Sequence, residues 1–383
     1  MSPKSPNKKR RKPARLLAAL LYLLAGGASA LLMLNCLTGV RMWDRPWLLL
    51  LLALVWMYAA MTLQLIIHEA GHLVFGLLTG YRFSSFRIFS LMWVKQEGRV
   101  RLKRLKIPGT GGQCLMAPPD VPDGEMPVVL YNLGGVLMNL ITAAVFAGIA
   151  LLLPPESFGR MSLLMLTVFG VTYALINGLP LDMGPVSNDG RNTLALRRHP
   201  ETVRDFRIQL QVMDALGRGL GIRDMPEEWF TLPPEERIRQ SPLTAATAAL
   251  ASWRLMVERR FPEAAALLDL LMDLPDVQSL GPACDRICLE LMGENRPEVL
   301  EKLDTPELQK FMKSIRTSLG VIRTEYALAL LRDRDPVKAE GILARFEKAA
   351  AVYPYPREAE EERALTALAR EKYEQMKNPE AAE

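Results

Sequence analysis

Two of the chain's three histidines and one glutamate stand together in an otherwise apolar stretch, as His68-Glu69-Ala70-Gly71-His72. On a helix, residues four apart share a face, so both imidazoles can point at one metal ion. Glu69, one step round, can then reach a water bound to that ion. Zinc held by two histidines and a carboxylate keeps a fourth position for water and lowers its pKa to about 7. Glu69 is the candidate general base, taking the proton as water attacks a peptide carbonyl and passing it to the leaving amine. The remaining histidine, His199, precedes Pro200 with nothing nearby to complete a site, and reads as a surface residue.

The third ligand must come from elsewhere in the chain. The run from Asn177 to Gly190 follows the last long apolar stretch and offers two aspartates, Asp182 and Asp189. Pro180 and the glycines of this run break a helix, and such irregular backbone is tolerated at membrane depth only where it is buried in protein or lines a cavity. Four cysteines at 36, 114, 284 and 288 are too few and too scattered for a disulfide framework. Cys284 and Cys288 read as two thiols on a helix rather than half a metal site, because no second Cys or His pair follows.

The elements that must position these residues are membrane spans. Of 383 residues, 50% are hydrophobic, and nearly all the long uncharged runs lie before residue 182. Four stretches, about 16–40, 47–80, 127–153 and 161–181, can cross a hydrocarbon core about 30 Å thick. Ionisable residues inside such a span are expensive and mark function by default. The first stretch has a basic start, and Ala28-Ser29-Ala30 resembles a signal cleavage site. The apolar run continues through Leu37, which suits an uncleaved anchor better.

Seven Lys or Arg precede Leu16 and eight lie between Tyr81 and Met126, whereas the other two connections hold only Arg41, Arg45 and Arg160. This asymmetry places the N-terminus, the 81–126 loop and the C-terminal half in the cytoplasm of a multi-pass protein of the cell membrane. Topology and attraction to anionic lipid account for the basic N-terminus, so no nucleic-acid partner is expected.

With these features the sequence resembles the site-2 protease family of intramembrane zinc metalloproteases, over roughly residues 45 to 195. The likeness rests on His68 to His72 within a span, on an Asn-x-x-Pro element (Asn177 to Pro180) followed by Asp189-Gly190, and on Gly134 to Asn139, which is similar to the family's small-residue motif ending in Asn. The resemblance implies one zinc ion per chain, a membrane-spanning protein or peptide substrate, and strands beside the active site. The Asp-Gly pair stands further from the Asn-x-x-Pro element than is common in the family. Asp189 is nonetheless the favoured third ligand, because a Gly permits the turn a ligating carboxylate needs. Asp182 is the alternative. Asn139 is expected to contact either the developing oxyanion and substrate backbone or a neighbouring helix.

The loop at 81–126 alternates as strands do. Phe86 to Val94 and Arg99 to Leu105 flank a Glu97-Gly98 turn, and residues 111–116 form a further candidate strand. Its edge can hold an unwound substrate, or its basic face can lie against anionic headgroups. From Arg191 the texture is helical. Pro262, Pro297 and Pro336 sit in three similar segments, at spacings close to the 34-residue tetratricopeptide period, each reading as the turn of a helical hairpin. Such stacked hairpins suit a protein or peptide partner.

The expected fold is therefore an all-α membrane protein. Its parts are a basic N-terminus (1–15), a four-span domain with a cytoplasmic β-hairpin loop (16–190), a helical linker (191–240), a soluble helical repeat-like domain (241–375) and a polar tail (376–383). The expected activity is intramembrane zinc endopeptidase. The alternative is a membrane-anchored adaptor with a structural or inactive metal site, and a third reading is a zinc protease acting on peptides near the membrane surface.

Overall fold

The computed structural model describes residues 7–37, 46–107, 109–181, 187–274 and 279–378. The chain forms two compact units, Met1–Ile88 with Gly109–Val203, and Phe89–Pro108 with Arg204–Glu383. The described residues are mostly helical, with four short strands: β1 (Arg82–Ile88), β2 (Leu91–Gln96), β3 (Arg99–Arg104) and β4 (Gly112–Ala117).

The first unit is built on helices α1 (Asn7–Leu37), α2 (Pro46–Leu78), α3 (Val128–Leu151) and α4 (Phe158–Gly178), followed by the shorter α5 (Asp189–Arg198). Among the described residues, three helices are long and apolar enough to cross a membrane: Leu54–Leu78, Asp123–Leu151 and Phe158–Gly178. Where a fourth span was expected at about 16–40, the described apolar stretch, Leu16–Leu32 of α1, is shorter than these three. Helices α2, α3 and α4 pack on one another, and α1 packs on α4, with Ala25, Ala60, Leu166 and Phe169 buried among them. Many of the remaining large apolar side chains, such as Val55, Ile141 and Val145, are exposed, as helices facing hydrocarbon require.

In this unit β1 pairs antiparallel with β4, from Arg82 opposite Ala117 to Ile88 opposite Gly112, with a register shift between Phe83 and Ser85. The expected strand from Phe86 to Val94 is interrupted. Phe89 adopts φ 52°, a left-handed conformation that a continuous strand does not accommodate, and β1 ends before it.

In the second unit β2 and β3 form a hairpin, with Gln96 opposite Arg99 and Leu91 opposite Arg104. Glu97 (φ 49°) and Gly98 (φ 77°) are both left-handed, as a two-residue type I′ turn requires. The alternation of β2 buries Met92, Val94 and Gln96 and exposes Leu91, Trp93 and Lys95. The buried side joins a core with Ile208 and Val212 of α6 (Val203–Gly217) and with Tyr355, and Gln96 donates from Nε2 to the Pro354 carbonyl at 2.6 Å. This hairpin therefore belongs to the compact unit formed by the C-terminal helices.

After the short α7 (Glu235–Gln240), that unit continues through α8 (Pro242–Val257), α9 (Phe261–Met272), α10 (Leu280–Met292), α11 (Pro297–Leu303), α12 (Pro306–Ser314), α13 (Leu319–Ala327), α14 (Pro336–Ala350) and α15 (Pro356–Lys377). At each of the three similar segments the chain reverses through a left-handed residue, Arg259, Asn295 or Arg334, and a proline stands in the first turn of the helix that follows. Buried Arg323 of α13 donates to Glu362 of α15 at 2.8 Å and also pairs with Asp285 of α10, tying three helices together. Cys284 and Cys288 are free thiols in the same core; burial pushes them up to about 12 and about 11, so neither is a reactive thiolate. His199 is exposed, 3.4 Å from the Glu201 carboxylate.

Candidate metal centre

Leu54–Leu78 of α2 is almost wholly apolar, and three of its polar residues share one face. Gln64, His68 and His72 follow one another at intervals of four, so their side chains stack along α2 toward α3 and α4. All three are buried. His68 and His72 bring their Nε2 atoms to 3.3 Å from each other. Asp189 Oδ2 completes a triangle, 3.0 Å from His68 Nε2 and 3.5 Å from His72 Nε2. Among the described residues this is the one group of His, Cys, Asp and Glu side chains so arranged.

The far side of each ring fixes its tautomer. His72 Nδ1 lies 2.8 Å from the Tyr131 carbonyl, which can only accept, so Nδ1 carries the proton. For His68 the argument starts further back. Gln64 Nε2 donates to the Leu166 carbonyl of α4 at 2.8 Å, which leaves Gln64 Oε1 as an acceptor. Asn139 of α3 donates from Nδ2 to that Oε1 at 2.7 Å and to the Gln64 carbonyl at 3.1 Å. Its Oδ1 is then the acceptor for His68 Nδ1–H at 2.8 Å. With Nδ1 carrying the proton, each imidazole in its neutral form directs the Nε2 lone pair into the triangle, where the buried Asp189 Oδ2 has no hydrogen-bond donor among the described residues.

Three lone-pair donors converging without a proton between them need a cation. Their separations match the edges of a tetrahedron, about 3.3 Å for bonds of about 2.0–2.1 Å. The donor set thus fits a metal ion, and Asp189 is the aspartate brought to the histidines. Asp182 lies outside the described residues.

Local backbone contacts explain how Asp189 arrives there. Asn188 caps α5, accepting from the Arg191 amide at 3.0 Å, and donates from Nδ2 to the carbonyls of Ile176 (2.7 Å) and Leu179 (2.6 Å) at the end of α4. Gly190 lies against the Gly178 carbonyl so closely that a Cβ would collide with it. The small-residue motif of α3 has a similar purpose: a Cβ on Gly135 would lie 2.6 Å from His68 Cε1, so only glycine leaves room for the ring.

Glu69 is buried beside the triangle, within electrostatic range of His68, His72 and Asp189. Its carboxylate lies against the backbone at Gly112, where β4 begins, and has no hydrogen-bonded partner among the described residues. Arg87 of β1 donates to the Gly112 carbonyl at 3.1 Å and so fixes the strand that Glu69 touches. Tyr131, stacked on Tyr81 with centroids 4.5 Å apart, donates from its hydroxyl to the Cys114 carbonyl at 2.9 Å and ties β4 to α3.

No protein-family model, curated protein or solved structure matches this chain. What the site can do therefore rests on its own geometry.

The sequence-based expectations for His68, His72, Asp189 and Glu69 fall on side chains that the fold brings together. Asn139 lies behind His68, and both hydrogens of its amide are committed to Gln64, so no donor is left for an oxyanion. Two contributors were missed. Gln64 was detectable as the lone amide one helical turn before His68. Asn188 was not, because its role depends on where the end of α4 meets the start of α5.

Proposed function

We propose that this chain is an intramembrane zinc endopeptidase of the site-2 protease type, hydrolysing peptide bonds of membrane-associated substrates. The observation that carries the reading is the convergence of two Nε2 atoms and a buried carboxylate oxygen that has no hydrogen-bond donor among the described residues, beside Glu69 on a membrane-length helix. His68, His72 and Asp189 would hold the ion. Zinc, when bound there, supplies a water that ionises near neutral pH and polarises a carbonyl.

The chain's own residues do the rest. Glu69, free of hydrogen bonds among the described residues, accepts the proton of the attacking water at its carboxylate and returns it to the leaving amine. Asn139 and Gln64 hold His68 in its ligating tautomer, and the Tyr131 carbonyl does the same for His72. The packed apolar side chains of α2, α3 and α4 limit water around the site, which strengthens the electrostatic interactions within it. The distribution of basic residues supports an N-terminus, a 81–126 loop and a C-terminal half on the cytoplasmic side.

The test is metal analysis of the purified protein in detergent alongside cleavage of a membrane-spanning reporter. Wild type should carry one zinc per chain and His72→Ala none. Glu69→Gln should keep its zinc while turnover falls by roughly a hundredfold or more. Folded wild type that carries no bound metal although prepared with ample zinc, or a Glu69→Gln variant that cleaves normally, would overturn the reading. Equal cleavage of the reporter and of its soluble fragment would instead assign the activity to peptides outside the membrane.

A further inference from the structure

The β2–β3 hairpin has two unlike faces. Side chains directly opposite in an antiparallel pair share a face. Met92, Val94 and Gln96 turn into the helical core. On the other face the register sets Trp93 opposite Leu102, flanked by Leu91 opposite Arg104 and Lys95 opposite Val100. Leu91, Trp93, Val100 and Leu102 are 40%, 37%, 56% and 58% exposed, a contiguous apolar patch with a cation at each of two opposite corners. Arg99, Arg101 and Lys103 of β3 stand opposite Gln96, Val94 and Met92 and so belong to the other face, although none of them is buried.

Charge on this segment is one-sided. Residues 89–108 hold six Lys or Arg and a single acid, Glu97. Glu97 pairs with Arg101 at 2.8 Å. Lys95, Arg99, Lys103, Arg104 and Lys106 have no acidic partner among the described residues. The segment also follows closely on a membrane-length helix, since only twelve residues separate Leu78 from Leu91.

We propose that the outward face of the β2–β3 hairpin docks on the surface of an anionic lipid bilayer, with Trp93, Val100 and Leu102 entering the headgroup–acyl boundary and Lys95 and Arg104 meeting lipid phosphates. Apolar and aromatic side chains amid long cationic ones are what an interfacial element needs, because the aliphatic stems lie along the apolar layer while the charges reach phosphate. Addition of a peptide strand to β3 is the less suited alternative, since a row of Arg and Lys on an edge strand resists pairing with another strand. The proposal requires insertion of the chain in a membrane but not protease activity, so its test uses neither zinc content nor cleavage.

The experiment is hydrogen–deuterium exchange of the full-length protein in nanodiscs of phosphatidylcholine alone and of phosphatidylcholine with about one-third phosphatidylglycerol. Amides of residues 97–106 should exchange more slowly in the anionic discs, by about tenfold or more, given about 1 kcal/mol of attraction to such a surface for each of the two cations on this face. The protection should vanish in roughly 0.5 M salt, where the screening length is only a few ångströms. Lys95→Gln/Arg104→Gln should abolish the lipid dependence, and Val100→Ser/Leu102→Ser should weaken it. All four positions are exposed, so both variants should retain the exchange pattern of the helical core, which the same data report. Equal exchange in the two disc types, or protection that appears only when a peptide is added, would overturn the proposal.

Discussion

The protonation of His68 is decided three hydrogen bonds from its ring. The Leu166 carbonyl can only accept, and that single fact orients Gln64, then Asn139, then the imidazole. Replacing Gln64 by Leu removes the shorter of the two hydrogen bonds that orient the Asn139 amide, leaves only the main-chain carbonyl of residue 64 to hold it, and so loosens the control of the His68 tautomer. Gln64→Leu is therefore expected to weaken metal binding by roughly 10–100-fold, as loss of an outer hydrogen-bond partner commonly does. Asn139→Ala should have a similar effect, and the double variant should be little worse than either single one, because both break the same relay. Competition with a chromogenic chelator measures this without reference to activity; strictly additive losses would show that the two residues act separately.

At the scale of elements, close backbone approach sets the site. Gly135 leaves room on α3 for the His68 ring, and Gly190 lets the start of α5 reach the end of α4. Gly135→Ala should displace the ring and reduce bound metal by about tenfold or more while leaving helix content unchanged. Full metal occupancy in that variant would mean that the helices can separate to accept the methyl group. The His-Glu-x-x-His spacing, the helical turns at Pro262, Pro297 and Pro336, and the Glu97-Gly98 turn were all legible in the sequence, because each is a local pattern with a local cause. The break at Phe89 was not, since nothing in a Phe announces a left-handed backbone. Nor was the membership of β2 and β3 in the C-terminal unit, which depends on contacts such as Gln96 with Pro354, remote in sequence.

At the scale of the whole molecule, the helical unit buries several carboxyl groups, and this has a consequence for its pH dependence. Burial pushes Glu358 up to about 8 and Glu361 up to about 7. A carboxyl whose pKa is higher in the folded than in the unfolded state stabilises the fold fully below the unfolded value, near 4.5, and loses that contribution as pH rises through the folded value. The melting temperature of this unit should thus fall as pH is raised from about 5 to about 9, and Glu358→Gln should flatten the upper part of that decline. Glu290 behaves oppositely. The hydrogen bonds from Arg296 hold it at about 2, so the stability it provides is lost only in acid. A melting temperature that is constant or rises over the alkaline range would show that the buried carboxyls are hydrated.

The route from the Leu166 carbonyl to His68 also bears on the order of events during biosynthesis. Helix α2 leaves the ribosome before α3 and α4, and it carries both histidines without Asn139, Leu166 or Asp189 to complete the centre. Until the later helices assemble around it, the nascent segment is a weak chelator with an incomplete set of donors. Under the proposed function, metal loading would thereby wait for the finished bundle, and an unfinished chain would carry no assembled nucleophile.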